Sequence, residues 1–164
     1  MTAVVDTSPL ISLAHLDLLH LLPKVFGRTL APPGVVREAT ERRASAPGAT
    51  AIRAALESGL LELAAPGAPD GTSPEWLGPG EREAMAVALA ERANWVVIDD
   101  RRARRYAVDL GLKVIGTVRV LEVARAAGHI ERAGPLLEQL RNRGFRLGEG
   151  IVARVRDAEG GPAE

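Results

Sequence analysis

Short β-branched segments alternate with stretches of helical periodicity along nearly the whole chain, and this alternation constrains the fold more than any other feature. Thr2 to Val5 is brief, apolar and β-branched. Ser8-Pro9 then reads as a helix start, with Ser at the N-cap and Pro at the first helical position. Leu10, Leu13, Ala14, Leu18, Leu21 and Leu22 follow at helical spacing. Thr29 to Ala31 is a second short strand closed by Pro32-Pro33; helices are predicted over Gly34 to Arg43 and Thr50 to Ser58, with a loop from Ala44 to Gly48. Leu60 to Leu63 reads as a strand, and the Pro- and Gly-rich Pro66 to Gly78 as a long loop. The pattern then runs helix Pro79 to Ala93, strand Trp95 to Ile98, helix Arg101 to Leu110, strand Lys113 to Ile115 and helix Val118 to Ala127. Gly134 to Arg143 and Glu149 to Asp157 add two C-terminal helices. Strands this short, separated by helices of this length, predict a three-layer α/β/α fold: a short parallel sheet flanked by helices on both faces.

The chain has 164 residues, the size of one domain. The domain is expected over residues 1–158, with 159–164 as a loose tail. Apolar residues at 46% and charged residues at 26% exclude a disordered chain. Lys plus Arg is 21 and Asp plus Glu is 21, so nucleic-acid binding can come only from local patches. The absence of cysteine excludes disulfides and thiolate metal sites. MTAVVDTSPL lacks the basic start and apolar core of a signal peptide, and ISLAHLDLLHLL is too interrupted to span a membrane. A soluble cytoplasmic protein is expected. The helix from Leu10 to Leu19 is apolar around more of its circumference than one buried face needs, which points to a homodimer.

In an open parallel sheet, chemistry gathers beyond the carboxyl ends of the strands. Two strands here end in acid: Val4-Val5-Asp6, and Val97-Ile98-Asp99-Asp100. Glu38 and Glu83 are two further carboxylates that can be aimed at the same edge. Glu83 shares a helix face with Val87 and Ala90. Glu81 stands at the third helical position if Gly78 is the N-cap, where it favours the helix dipole and the free N–H groups. Glu81 and Glu83 lie about 200° apart around a helix, so only one faces the site, and Glu83 is the preferred one. Asp99 and Asp100 leave their strand in opposite directions: one is expected to bind metal and the other to orient water or an arginine. Ser8 either caps the helix or helps order the site. His15, His20 and His129 have no partners at ligand spacing and read as structural or surface residues.

Two bare carboxylates about 4 Å apart repel by roughly 4 kcal/mol at an effective dielectric of 20, so such a cluster needs a cation. An all-oxygen site suits Mg²⁺ or Mn²⁺. Metal among carboxylates activates water and neutralises charge developing on a phosphate, which is the chemistry of phosphodiester hydrolysis. Arg101, Arg102, Arg104 and Arg105 follow the aspartates directly, and guanidinium forks hold phosphates.

Taken together, Asp6-Thr7-Ser8-Pro9-Leu10-Ile11, Glu38 after a Pro-rich turn, Gly80-Glu81-Arg82-Glu83-Ala84, Ile98-Asp99-Asp100-Arg101 and Ile115-Gly116-Thr117 resemble the PIN-domain nucleases. The likeness is to the short, stand-alone prokaryotic branch related to VapC toxins, and in its motifs it runs from about Thr2 to Val123. It implies a Rossmann-like sheet, three or four acids binding Mg²⁺ or Mn²⁺, and RNA cleavage. By resemblance Asp6 is the first acid, Glu38 the second, Glu83 the third and Asp100 the fourth, with Asp99 its helper. The same resemblance implies a homodimer and an endoribonuclease acting as the toxin of a toxin–antitoxin pair, with an antitoxin protein as partner. Where the family usually has Asp, this chain has Glu83, and it has a pair at Asp99-Asp100 where a single acid is usual.

Two other function classes stay open from the residues alone. A receiver-type or haloacid-dehalogenase-type phosphoryl-transfer protein also uses strand-end aspartates and Mg²⁺. Those folds, however, place an acidic pair or Asp-x-Asp after the first strand, where this chain has Asp6-Thr7-Ser8. A catalytically inactive PIN fold that only binds RNA or protein is the other.

Overall fold

A computed structural model describes residues 1–41, 47–65, 73–148 and 150–160. Among them five parallel strands form one sheet: β1 (Thr2–Val5), β2 (Arg28–Ala31), β3 (Glu62–Leu63), β4 (Trp95–Val97) and β5 (Val114–Ile115). Their order across the sheet is β3-β2-β1-β4-β5. The chain therefore builds outward from β1 on one side, then returns to build outward on the other. The point where the order reverses lies between β1 and β4, and there a parallel sheet opens a crevice at its carboxyl edge. Ala3, Val4, Val5, Val96 and Val97 are wholly buried, as expected for strands covered on both faces. Val5 pairs with Val97, and the Asp6 N–H donates to the Val97 carbonyl at 2.9 Å. Asp6 and the Asp99-Asp100 pair thus leave the sheet side by side.

Helices cover both faces in a three-layer α/β/α arrangement: α1 (Thr7–His15), α2 (Leu21–Phe26), α3 (Pro33–Glu41), α4 (Pro47–Glu57), α5 (Pro79–Ala90), α6 (Arg101–Asp109), α7 (Thr117–Ala126), α8 (Gly134–Asn142) and α9 (Ile151–Ala158). The expected loops at Ala44 to Gly48 and Pro66 to Gly78 fall largely outside the described residues, and α4 begins at Pro47, inside the first of them.

Four local expectations are corrected. Asp6, not Ser8, is the N-cap of the first helix, which starts earlier than the Ser8-Pro9 signal suggests. The long helix expected to Leu22 is two helices. Asp17 takes a left-handed backbone (φ 58°), and the Leu18 N–H returns to the Leu13 carbonyl at 2.8 Å, closing α1 with a Schellman turn. Arg92 (φ 49°) ends α5 in the same way, with Ala93 N–H on the Ala88 carbonyl at 2.9 Å, so α5 stops short of Ala93. Finally, Glu159 does not begin a loose tail. Its side chain is 2% exposed beside Arg125 and accepts the Ala133 and Gly134 N–H groups at 2.6 and 3.1 Å, placing negative charge at the start of α8.

The apolar circumference of α1 is also accounted for within the chain. Leu10, Leu13 and Ala14 are buried, and the helix packs against α3, α4 and α7, so nothing in α1 itself calls for a second copy. Among the described residues no helix is long and apolar enough to cross a membrane.

Candidate metal centre

Asp6 is a buried acid. It sits between β1 and α1 and is 4% exposed. Its side chain makes no capping hydrogen bond, and its Oδ1 is buried with no hydrogen-bond partner among the described residues. Burial without a partner disfavours the carboxylate form, and the Asp6 pKa is pushed up to about 7. Desolvation is the main cause. The Thr7 N–H pulls the other way, and the charges of Glu81, Glu38 and Asp99 push further upward.

Glu38, half-buried on α3, accepts a 3.0 Å hydrogen bond from the Thr7 hydroxyl at its Oε2. Gly80 in the first turn of α5 makes that arrangement possible. A Cβ at this buried position would stand 2.9 Å from Glu38 Oε2 and 3.0 Å from Thr7 Oγ1. Glycine lets α5 begin directly against the Glu38–Thr7 pair.

The first turn of α5 also decides between Glu81 and Glu83. Glu81 is half-buried in the same cleft as Asp6, Glu38 and Asp100, and its Oε2 accepts the Gly78 N–H at 2.8 Å. Its pKa is raised, chiefly by burial, against the Gly78 hydrogen bond, with Asp100 and Glu38 adding repulsion. Glu83 faces elsewhere: its Oε2 accepts the Gly34 N–H at 2.5 Å, in the first turn of α3, and it lines neither cleft described below. The two acids do diverge around the helix, but the one turned to Asp6 is Glu81. The signal was in the sequence: Pro79 fixes the helix start, and the third helical position points to the strand-edge end.

Asp99 and Asp100 diverge as well. Asp99 accepts the Thr117 N–H at 2.7 Å with one oxygen and the Thr117 hydroxyl at 2.6 Å with the other. Asp100 caps α6, its Oδ1 accepting the Arg102 and Ala103 N–H groups at 2.9 and 2.8 Å. Asp100 borders the cleft of about 510 Å³ that contains Asp6; Asp99 borders a neighbouring cleft of about 1030 Å³. Exposed Ser8 lies on the boundary of both.

Among the described residues no three acidic or imidazole side chains converge at ligating distance around one point. The donor set is nonetheless all oxygen, it concentrates negative charge, and Asp6 Oδ1 has no protein donor to satisfy it. Those properties fit a hard divalent cation such as Mg²⁺ or Mn²⁺, and Asp6, Glu38, Glu81 and Asp100 are the acids that border the cleft.

The larger cleft supplies the opposite charge. Arg101 and Arg104 line it, joined by Arg119, Arg143, Arg146 and Arg154, against Glu38, Asp99 and Glu122. Arginine thus outnumbers acid here two to one in a chain whose total charges balance. Glu122 engages Arg119 at 3.2 Å and Arg154 at 3.9 Å, and Arg143 donates to the His15 carbonyl at 2.7 Å. Arg101, Arg104 and Arg146 make no ion pair among the described residues. Arg102 borders the smaller cleft instead, and Arg105 is exposed and lines neither. The arginines beyond residue 105 escape sequence reading because no motif joins them; α7, α9 and the segment between α8 and α9 carry them to the cleft wall.

A family model described as a PIN domain matches residues 2–160. Among solved structures the chain is similar to a PilT N-terminus domain protein from the hyperthermophilic archaeon Sulfolobus solfataricus. The two share 18% identity over 74% of this chain and 92% of that one, with a TM-score of 0.48. No curated protein matches.

Proposed function

Because the chain belongs to the PIN-domain family, a nuclease fold, we propose that it is a metal-dependent endoribonuclease that hydrolyses RNA phosphodiester bonds at the β1–β4 crevice. The observation that carries this reading is the buried Asp6 Oδ1 without a donor, among Glu38, Glu81 and Asp100. An orphaned carboxylate oxygen costs stability unless a cation or a proton satisfies it, and a strand-edge cleft is where such a cost has a use.

A bound Mg²⁺ or Mn²⁺ supplies Lewis acidity and a water of lowered pKa. The protein's own contributions are positional. Asp6 takes up a proton near neutral pH in the absence of a cation. The Thr7 hydroxyl orients Glu38, and the Gly78 N–H orients Glu81. Thr117 takes both oxygens of Asp99, which ties β4 to α7 while its charge still reaches Asp6, and Asp100 borders the smaller cleft with Asp6 and Glu81. Arg101 and Arg104, beside that pair, are suited to hold phosphates of the RNA backbone.

A toxin role with an antitoxin partner, and a homodimeric state, belong to this reading and rest on the motif resemblance. PIN-family membership favours the nuclease reading over the receiver-type and dehalogenase-type alternatives. The test is incubation of purified protein with labelled RNA in Mn²⁺, in Mg²⁺ and in EDTA, alongside Asp6→Asn. Cleavage that needs metal and is lost in Asp6→Asn supports the proposal. RNA binding without cleavage under every condition assigns the chain to the inactive class instead. Arrested growth on expression, relieved by Asp6→Asn, supports the toxin role.

A further inference from the structure

Trp76 stands in the wall of the smaller cleft and is 44% exposed, high for a residue that proteins usually bury over most of its surface. It is held in place without being covered. The Arg102 guanidinium lies 4.4 Å from its ring centroid. Tyr106 meets it edge-on, with centroids 6.1 Å apart and planes at 80°. Arg102 and Tyr106 are four apart on α6 and so project from one face of it. That helix is capped by Asp100, which borders the cleft with Asp6, Glu38 and Glu81. A cation and a ring edge thus fix an exposed indole beside the carboxylates, at a place where it contributes little to the core.

We propose that Trp76 and Arg102 form a nucleobase subsite, on which one unpaired base of the RNA stacks next to the bond to be cut. The inference rests on the nuclease reading and extends it, since it states which part of the substrate this cleft takes. Every base has a π-face, so stacking on an indole tolerates any base, with Arg102 adding a cation to the stack. A base inside a duplex already has both faces covered by its neighbours. The subsite therefore selects a single-stranded segment, such as a loop or an overhang, over a paired one.

The experiment uses the full-length protein in EDTA, which separates binding from cleavage, with a fluorophore-labelled single-stranded oligoribonucleotide. Its controls are the same strand in a duplex and an abasic sugar–phosphate oligomer of equal charge. The chain has two tryptophans, and Trp95 stands at the start of β4, the end of the strand away from the cleft. Single-stranded RNA is expected to quench tryptophan emission, and Trp76→Leu to abolish that quenching. By anisotropy, Trp76→Leu should bind the single strand about tenfold more weakly and the abasic oligomer as the wild type does. Trp76→Phe, which keeps a π-face, should recover most of the affinity. If Trp76→Leu, or Trp76→Gln should Leu not fold, bound single strand, duplex and abasic oligomer in the wild-type order and with wild-type affinity, the subsite is wrong. The nuclease reading then stands on its own cleavage test. If the wild type neither binds RNA here nor cuts it in Mn²⁺, both fail together.

Discussion

Glu81 shares the Asp6 cleft and its charge pushes the Asp6 pKa up, whereas Glu83, two residues along the same helix, is turned away to the start of α3. The two acids should therefore fail differently. Glu81→Gln should weaken Mn²⁺ binding by about tenfold or more, since losing even a residue that only supports a metal ligand costs about 10–100-fold. Glu83→Gln should leave Mn²⁺ affinity unchanged and cost about 1 kcal/mol through the lost charge-assisted bond to Gly34. In a domain of this size that is a fall of about 2–4 °C in Tm. Calorimetric titration and thermal melting separate the two. Metal binding lost in Glu83→Gln but kept in Glu81→Gln restores Glu83 as the ligand.

The raised Asp6 pKa makes stability depend on pH in a definite direction. The folded-state value of about 7 lies above the ordinary aspartate value of 3.8, so the folded protein holds a proton that the unfolded chain releases. The stabilisation is complete below about pH 4 and is lost as pH rises through about 7. The loss is at most about 4 kcal/mol at 1.36 kcal/mol per unit. In EDTA, Asp6→Asn should flatten this pH dependence and raise the Tm at pH 8 by several degrees, and in Mn²⁺ the same variant should lose cleavage. An unchanged or lower Tm at pH 8 would show that the Asp6 carboxylate is satisfied within the protein after all.

The same group gives metal binding a pH dependence. A cation at Asp6 must displace its proton, so Mn²⁺ affinity should fall by about tenfold per pH unit below about 7, and binding should release protons near neutrality. Calorimetry in two buffers of different ionisation enthalpy reads that release directly. Affinity independent of pH between 5.5 and 7 would place the ion elsewhere.

Gly80 offers a change that should spare the fold and harm the site. The atoms that crowd a Cβ there are the ends of the Glu38 and Thr7 side chains, which can rotate away. Alanine also favours the helix over glycine by about 0.5–1 kcal/mol. Gly80→Ala should therefore melt within a few degrees of the wild type while Glu38 is displaced and both Mn²⁺ affinity and cleavage fall. Normal cleavage in this variant would remove Glu38 from the site.

Much of this arrangement is legible in the sequence, for physical reasons. Buried parallel strands need apolar β-branched runs bounded by breakers, and Thr2–Val5 and Trp95–Val97 are such runs. Acids directly after them must emerge at the carboxyl edge, so Asp6, Asp99 and Asp100 could be brought to one edge from spacing alone. Glu81 and Glu83 need the helix phase as well, and the face shared with Val87 points to Glu83. That face turns to α3 rather than to the cleft. The helix ends at Asp17 and Arg92 carry no glycine or proline, the usual marks of a stop, because two ordinary residues take the left-handed turn. Arg119, Arg143, Arg146 and Arg154 are scattered along the chain, and only tertiary folding makes them neighbours.

The four arginines after Asp100 test whether the larger cleft is a phosphate track. A diffuse basic surface predicts that each contributes about equally. The fold predicts otherwise. Arg101 and Arg104 line the cleft without ion pairs among the described residues, Arg102 is stacked on Trp76, and Arg105 lies outside both clefts. Phosphate contacts show themselves through salt, because each one displaces condensed counterions. Measured in EDTA over a series of KCl concentrations, Arg101→Ala with Arg104→Ala should lower the log–log slope of RNA affinity by about two units, roughly one for each contact. Arg146→Ala, which also lines this cleft, should lower it by about one. Arg105→Ala should leave both affinity and slope at wild-type values. Melting of every variant must stay close to the wild type for the comparison to hold, which the exposure of Arg101, Arg105 and Arg146 favours. If Arg105→Ala weakens binding as much as the cleft arginines do, the RNA is held by general surface charge, and the cleft wall formed by α7 to α9 has no special part in binding it.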